Sequence, residues 1–483
     1  MSDTRTAPKP MLIDGQWITR ESAAFDSINP ATGQRNHCLG TATDADVDQA
    51  VESAWAAQRT PAWRDMMAHQ RAGLLRAIAQ GIEANADVLA RLQQIENGKV
   101  TAECKTQVAS AAATFRYYAG VCETTSAEVT PPRGNYLSMT HYDPYGVVVA
   151  ITPWNSPLTM EAQKLAPALA AGNAVILKPS EITSSPALEL GRIALEAGVP
   201  PGILNVVTGP GHSVGRRLVE HPGVRMVSFT GGTTSGRAIA HAAAEKLMPV
   251  ALELGGKSPH IVFADADLDA AIEGVIGGIF EGSGQSCVAG SRLYVQRSIA
   301  DAFTKKLLAR TEKIRVDMPD AAGAQMGPIA SFAHREKIEA MVARAVQEGG
   351  DIITGGRRAD GALQDGAFYL PTIVAGLGKN AELVKEEVFG PVLCLLVFED
   401  EDDLIEQAND SVYGLASGVW TSDYRRAWRI ARRLEAGSVW INTYKQLSIS
   451  TPFGGFKQSG IGREKGVAGF RLYQQSKGIF FGM

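Results

Sequence analysis

The run YGVVVAIT at residues 145–152 is followed by three like it: NAVILKPS (173–180), ILNVVTG (203–209) and VRMVSFTG (224–231). Each is short, rich in β-branched residues and almost wholly apolar. Strands buried on both faces read this way, because helices cover both sides of a parallel sheet and leave no wet face to alternate with. Between the runs lie SPLTMEAQKLAPALAAG (156–172), SSPALELGRIALEAG (184–198) and HSVGRRLVEH (212–221), which read as helices. The first two end in Gly172 and Gly198, a common helix stop, and the second opens with Ser185 and Pro186 as cap and first-turn pair. Strand, helix and strand in repetition predict a parallel sheet with right-handed crossovers.

Outward from this core, TDADVDQAVESAWAAQ (43–58) spaces Val47, Ala50, Val51, Ala54 and Trp55 along one helical face behind Thr43 as cap. Pro131 and Pro132 then break the chain, and the alternating residues up to Pro144 predict an exposed pair of edge strands. The last segment, SKGIFFGM (476–483), predicts an apolar strand that pairs either with another subunit or with an edge of its own chain.

Composition narrows the function. A chain of 483 residues exceeds what one core accommodates, so about two or three domains are expected. A net charge of −4 without a basic stripe argues against nucleic acid and membrane surfaces. There is no signal-like apolar start and no bilayer-length apolar run. Five scattered cysteines without a CxxC pair suggest neither a disulfide framework nor a metal cluster, and a cytoplasmic protein is expected.

Two familiar motifs fail on inspection. GGKS (255–258) ends like a phosphate loop, but the first glycine of that loop would fall on Ala251. GHSVG (211–215) has the form of a hydrolase nucleophile elbow with Ser213 as nucleophile, yet no histidine follows His334 and no HGGG-type segment precedes it. GPGHSVG (209–215) only approximates a dinucleotide fingerprint, since no acidic residue follows at the required distance.

A distributed set is more telling. FEGSGQSCVAGS (280–291) places Cys287 in a glycine and serine run, Asn155 follows a strand in ITPWNSPL, and Glu253 lies in ALELGGKSPH. A thiolate attacks carbonyls, an amide NH2 holds the resulting oxyanion, and a carboxylate activates water to cleave a thioester. Taken singly, each residue has a duller explanation: a small buried thiol, a turn amide, a paired buried carboxylate.

With these residues the chain resembles the aldehyde dehydrogenase superfamily nearly end to end. The matching segments, in order, are NPATG, ITPWNSPL, AAGNAVILKPSE, VSFTGGTTSG, LELGGKSPHIVF, GQSCVAGSR, KEEVFGPVL, NDSVYGLASGVWT, GSVWIN and PFGGFKQSGIGRE. The resemblance, to the non-acylating, betaine and semialdehyde-like branch, implies an α/β fold: a Rossmann-like parallel-sheet cofactor domain (1–125 and 145–254), an α/β catalytic domain (255–460) and a small β oligomerisation element (126–144 and 470–483). It implies a homodimer or homotetramer acting on a small aldehyde. Cys287 would be the nucleophile, Asn155 the oxyanion donor and Glu253 the residue that activates water. The cofactor would lie against Ile151, Thr152, Pro153, Trp154, Lys178, Ser180, Glu181, Gly211, Gly215, Phe229, Thr230, Gly231, Gly232, Gly236, Leu254, Glu387 and Phe389. Glu181 beside the ribose hydroxyls would favour NAD over NADP, because a carboxylate repels a 2′-phosphate. No metal is implied.

Two positions depart from the family pattern. Gly232 stands where a serine is common, leaving backbone N–H groups alone to meet phosphate. Gly282 stands where asparagine is common, so a looser nucleophile loop is expected. The aldehyde tunnel is expected along Ser156, Met160, Gln163, Ser286, Val288, Phe453 and the loop YKQLSIS (444–450), a wall more polar than an aromatic cage. Such a wall suits a substrate with a polar group or an oxygen-substituted ring. The competing expectations are a Ser213 hydrolase and a non-enzymatic binding protein on the same fold.

Overall fold

The computed structural model describes residues 7–21 and 23–483. The four apolar runs become neighbours in one eight-stranded sheet. Val147–Ile151 is central; Ala174–Lys178 and then Leu204–Val206 lie on one side, Met226–Thr230 and then Val250–Glu253 on the other, all parallel. Every residue of Val147–Ile151 and Ala174–Lys178 is buried, which is why these runs carry no alternation. The antiparallel pair Met11–Ile13 and Gln16–Ile18 closes one edge, and the short strand Gly460–Ile461 closes the other. The chain extends the sheet in one direction from Val147–Ile151 and then returns to extend it in the other. Such a switch point opens a crevice beyond the carboxyl ends of the strands.

The helices cover this sheet as their patterns predict. Asp44–Arg59 starts at Thr43, whose hydroxyl accepts from Asp46 N–H while Asp46 reaches back to the Thr43 N–H, a capping box that contributes about 1 kcal/mol. Pro157–Ala170 and Ser185–Glu196 each end in a left-handed glycine. Gly172 N–H donates to Leu169 and Asn173 N–H to Ala168, a pairing repeated by Gly198 and Val199 on Leu195 and Ala194. One cap differs from expectation: the N-cap is Ser184, not Ser185. The Ser184 hydroxyl turns back to Ser180 O, and the Ser185 N–H is met at 3.1 Å by the buried carboxylate of Glu96. A residue distant in sequence thus supplies the cap. HSVGRRLVEH is also less regular than expected, a wide turn over Gly211–Gly215 followed by the five-residue helix Arg216–Glu220.

A second sheet of seven strands runs in the order Asp351–Thr354, Thr372–Ala375, Val392–Phe398, Arg292–Gln296, Pro259–Val262, Ala416–Trp420 and Ser438–Ile441. All pairs are parallel except that of the outermost Asp351–Thr354. A third sheet holds Val129–Thr130, Tyr136–Pro144 and Gln474–Gly482. The terminal strand pairs along its full length with Tyr136–Pro144 of its own chain, from Gln474 opposite Pro144 to Gly482 opposite Tyr136. Its other edge meets no strand among the described residues, and Phe480 and Phe481 there are exposed. No helix among the described residues is long and apolar enough to cross a membrane.

Candidate active site

Sheet register sets the site. Ile151 lies opposite both Lys178 and Phe229, Phe229 opposite Leu252, and Thr230 opposite Glu253. The strands therefore end level with one another, and the turn leaving each strand enters the same crevice. Asn155 sits in the turn between Val147–Ile151 and helix Pro157–Ala170, where its Nδ2 donates to Gln285 O at 2.9 Å. Glu253 is the last residue of its strand. Cys287 arrives from the second half of the chain, after helix Leu268–Ile279.

The glycines before Cys287 answer to close approach. Gly282, Ser283 and Gly284 take φ of 67°, 56° and 69°, which turns the chain sharply. A Cβ on Gly284 would overlap the Gly390 carbonyl, and one on Gly256 would overlap the Cys287 carbonyl. Backbone is thus packed on backbone around the sulfur. The loosening expected from Gly282 is not seen in the bonding: Gly282 N–H donates to Glu103 at 2.6 Å, Ser283 Oγ to Gly327 O at 2.9 Å, and Gln285 Oε1 accepts from Ala330 N–H at 2.8 Å.

Asn155, Glu253 and Cys287 line one cavity of about 460 Å3. Burial pushes the Cys287 thiol up to about 12, the carboxylates of Glu387 and Glu253 push the same way, and its own N–H and Lys465 oppose them. Burial raises Glu253 well above the carboxylate range and Glu464 adds to this, while Lys164, Arg463 and Lys465 pull it down. Neither Glu253 oxygen has a hydrogen-bond partner among the described residues. Glu387, lifted by burial to about 7, is restrained by the Gly256 N–H at 2.9 Å and by Lys257. Such perturbed groups gathered at one cavity mark a functional site.

The expected cofactor residues divide into two groups. Pro153, Trp154, Thr230, Gly231, Gly232, Leu254, Glu387 and Phe389 line the Cys287 cavity. Trp154 meets Phe389 edge-on at 5.2 Å. Ile151, Thr152 and Phe229 are buried behind them, and Gly236 leaves room for the Leu254 side chain. Lys178, Ser180, Glu181, Gly211 and Gly215 do not line this cavity but cluster beyond the next strand. Lys178 Nζ donates to Pro179 O at 3.0 Å and approaches Glu181 at 3.5 Å, and Glu181 Oε1 accepts from Gly211 N–H at 2.8 Å. Although burial of Glu181 works in the opposite sense, Lys178 and the N–H groups of Glu181 and Gly211 hold its carboxyl below the usual range. Ser180 forms the turn, accepting from Ile182 N–H.

These residues fit a dinucleotide. Helix Thr233–Ala244 begins at Gly232 without a side-chain cap, so its first N–H groups are free for phosphate. Space agrees: nothing lies within 4 Å of a Cβ placed on Gly232, and the nearest atoms to those on Gly211 and Gly215 stand at 3.9 and 3.8 Å. The hydroxyl of Ser213 is exposed and donates to Pro210 O, and nothing among the described residues presents it with a base.

Of the expected aldehyde tunnel, Ser156, Met160, Gln163, Ser286, Val288 and Phe453 line the cavity. From the loop 444–450 only Leu447 and Ile449 do so; Tyr444 is stacked on His260 at 4.3 Å with its hydroxyl on Val288 O, and Lys445 Nζ donates to Gly277 O. Sequence reasoning missed one whole wall. Helix Thr101–Thr124 presents Thr106, Gln107, Ser110, Thr114 and Tyr118, which lie on one helical face. It also missed Glu464 and Lys465.

A nucleotide-type sheet whose crevice brings a half-buried thiol, an amide and a carboxylate onto one cavity has the architecture of the dinucleotide-binding α/β enzymes. The aldehyde dehydrogenase family model matches residues 17–479, and the chain belongs to that family. Among solved structures, it is similar to a betaine aldehyde dehydrogenase from Staphylococcus aureus in complex with NAD+, at 39% identity over 99% of this chain and 95% of that one, with a TM-score of 0.96. A point variant of an aldehyde dehydrogenase from Bacillus cereus matches at 36% identity over 98% of this chain and 96% of that one, again with a TM-score of 0.96.

Proposed function

We propose that this protein oxidises an aldehyde to a carboxylic acid with NAD as hydride acceptor, and that Cys287, Asn155 and Glu253 do the chemistry. The observation that carries this is the convergence of all three on one cavity beside a dinucleotide-type cleft. The Cys287 thiol releases its proton to solvent as its sulfur adds to the aldehyde carbon, and the proton later taken by Glu253 restores it. The carbonyl oxygen becomes an oxyanion, which accepts from the Cys287 N–H and from the Asn155 amide, one of whose two hydrogens is already spent on Gln285. The cleft between Glu181 and Glu387 would hold NAD, whose nicotinamide would supply the acceptor for the hydride of this carbon. The thioester left on Cys287 is opened by water, with Glu253 accepting the proton; the acid leaves and the thiol is restored.

The NAD complex of the Staphylococcus relative supports the cofactor, and Glu181 supports NAD over NADP because its carboxylate would repel a 2′-phosphate. The cofactor domain spans 1–125 and 145–254 and contains all of the first sheet but Gly460–Ile461, which joins it from the end of the catalytic domain, 255–460; 126–144 with 470–483 is the oligomerising element. The unpaired edge of Gln474–Gly482 supports a homo-oligomer, dimer or tetramer. Five unpaired thiols are consistent with a cytoplasmic location.

Absorbance of NADH should rise with NAD and an aldehyde, vanish in Cys287→Ala and persist in Ser213→Ala. An NADH signal that survives loss of the Cys287 sulfur refutes the assignment, whereas one abolished by Ser213→Ala returns the hydrolase to consideration.

A further inference from the structure

We propose that Lys465 selects aldehydes that carry a second, anionic group, a carboxylate in the first instance, and disfavours cationic ones; this rests on the aldehyde-oxidising function proposed for the same cavity. Lys465 is only 7% exposed and lines the Cys287 cavity. Buried charges are normally paired, because taking an ammonium out of water is expensive. Its neighbour Glu464 obeys that rule, but with a different partner: Lys164 Nζ meets Glu464 Oε1 at 2.6 Å, both side chains buried. For Lys465 Nζ there is neither an ion pair nor a hydrogen-bond acceptor among the described residues. It stands over an aromatic face, with Nζ 5.3 Å from the Phe453 ring centroid.

The remaining charges around it do not fill the gap. Glu253 and Cys287 are both held toward their neutral forms by burial. Burial pushes the Lys465 ammonium down from its ordinary range, against the pull of Glu464, Cys287 and Glu253. Glu387, the third carboxylate of the cavity, is bonded to the Gly256 N–H, so the cavity presents a lysine amine unpaired among the described residues, and an anionic ligand group completes it. Donors for the same group stand on the neighbouring wall: the Ser110 hydroxyl and the second Nε2 hydrogen of Gln107 share a helix with Tyr118, whose hydroxyl donates to Gly466 O directly after Lys465.

The same features count against a quaternary ammonium aldehyde. Such a cation is recognised by aromatic faces, and here the Phe453 face is already taken by the protein's own ammonium. Like charges in a partly desolvated cavity repel strongly. The position is also firmly built: Lys465 has φ 60°, and the flanking bonds Gly466 N–H to Ile449 O and Gly469 N–H to Lys465 O, each 2.8 Å, hold it there.

The test compares kcat/KM of wild type, Lys465→Met and Lys465→Arg on short straight-chain semialdehydes, alkyl aldehydes of the same length and betaine aldehyde, with thermal melting to verify folding. Wild type should prefer the semialdehydes. In Lys465→Met the semialdehyde-to-alkyl ratio should fall ~10–100-fold, the loss of one charge-assisted bond, mostly through KM. Lys465→Arg should recover much of it. An unchanged ratio overturns the proposal, as does a wild-type preference for betaine aldehyde. An equal fall on every aldehyde overturns it too, since Lys465 would then act through the Cys287 sulfur. If no aldehyde yields NADH, the aldehyde-oxidising function fails on its own, and glutarate decides the anion site separately: protection of wild type against melting that disappears in Lys465→Met supports it, and equal or absent protection refutes it.

Discussion

Replacing Glu253 by glutamine separates the two halves of the proposed reaction. The change is isosteric, and neither carboxylate oxygen has a hydrogen-bond partner among the described residues that it would lose. The variant loses proton acceptance during thioester hydrolysis, a contribution of ~10²–10⁴-fold, equivalent to about 2.7–5.4 kcal/mol. Addition of Cys287 and loss of hydride precede that step. Rapid mixing of Glu253→Gln with NAD and an aldehyde should therefore give a burst of NADH approaching one per site, followed by steady turnover reduced at least ~100-fold. The pH profile should change as well. Glu253 is raised well above the carboxylate range, so its basic form grows as pH rises, and wild-type steady turnover should climb through that elevated value. In Glu253→Gln this rise should disappear. Steady turnover equal to wild type would refute the role of Glu253; loss of the burst would move that role to an earlier proton transfer, away from the Cys287 thiol.

Asn155→Ala should lower kcat ~10²–10³-fold, as for removal of one oxyanion donor, while leaving the dissociation constant of NAD, measured by fluorescence titration, little altered. Glu161 is fully buried with both oxygens unpartnered among the described residues, and burial, reinforced by Glu96, raises it well above the carboxylate range. Its folded form stays protonated where the unfolded chain ionises, so it is best tolerated below the ordinary value of 4.5 and costs about 1.4 kcal/mol for each pH unit from there up to its folded value. Glu161→Gln should hence raise the melting temperature at neutral pH and not at pH ~4; equal melting at both would refute this. Phe481→Asp on the outer edge of the terminal strand should lower the assembled mass seen by light scattering, and an unchanged mass would place the subunit contact elsewhere.

The nucleotide-type sheet was legible because its strands are buried on both faces, a condition that writes itself into each run independently. Cys287, Asn155 and Glu253 were legible as chemical types and as segments in a familiar order. Lys465 was not. It reaches the cavity because Gly460–Ile461, only two residues, pairs beside Leu252 and Glu253, a contact between distant segments with no local periodicity to announce it. The wall from Thr101–Thr124 was missed for a related reason: Thr106, Ser110 and Thr114 at a spacing of four look like a wet helical face until a cavity is known to lie against them. Ser184 displaced Ser185 as cap because Glu96, far off in sequence, satisfies the Ser185 N–H.

Three carboxylates line the cavity, and their surroundings separate their roles more sharply than their positions do. Glu464 is closed by a 2.6 Å ion pair with Lys164. Glu387 accepts the Gly256 N–H and feels Lys257. A general base must offer free lone pairs to water, and in each of these one oxygen is already held in a bond whose loss would cost about 1–3 kcal/mol for the partner left unsatisfied. Glu253 alone has both oxygens free, and burial has already raised its proton affinity toward that of a useful base. The same comparison isolates Lys465. With Glu464 committed to Lys164, Glu387 bonded to the Gly256 N–H and Glu253 forming no ion pair, none of these three carboxylates pairs with Lys465, whose ammonium is left to meet an anionic substrate.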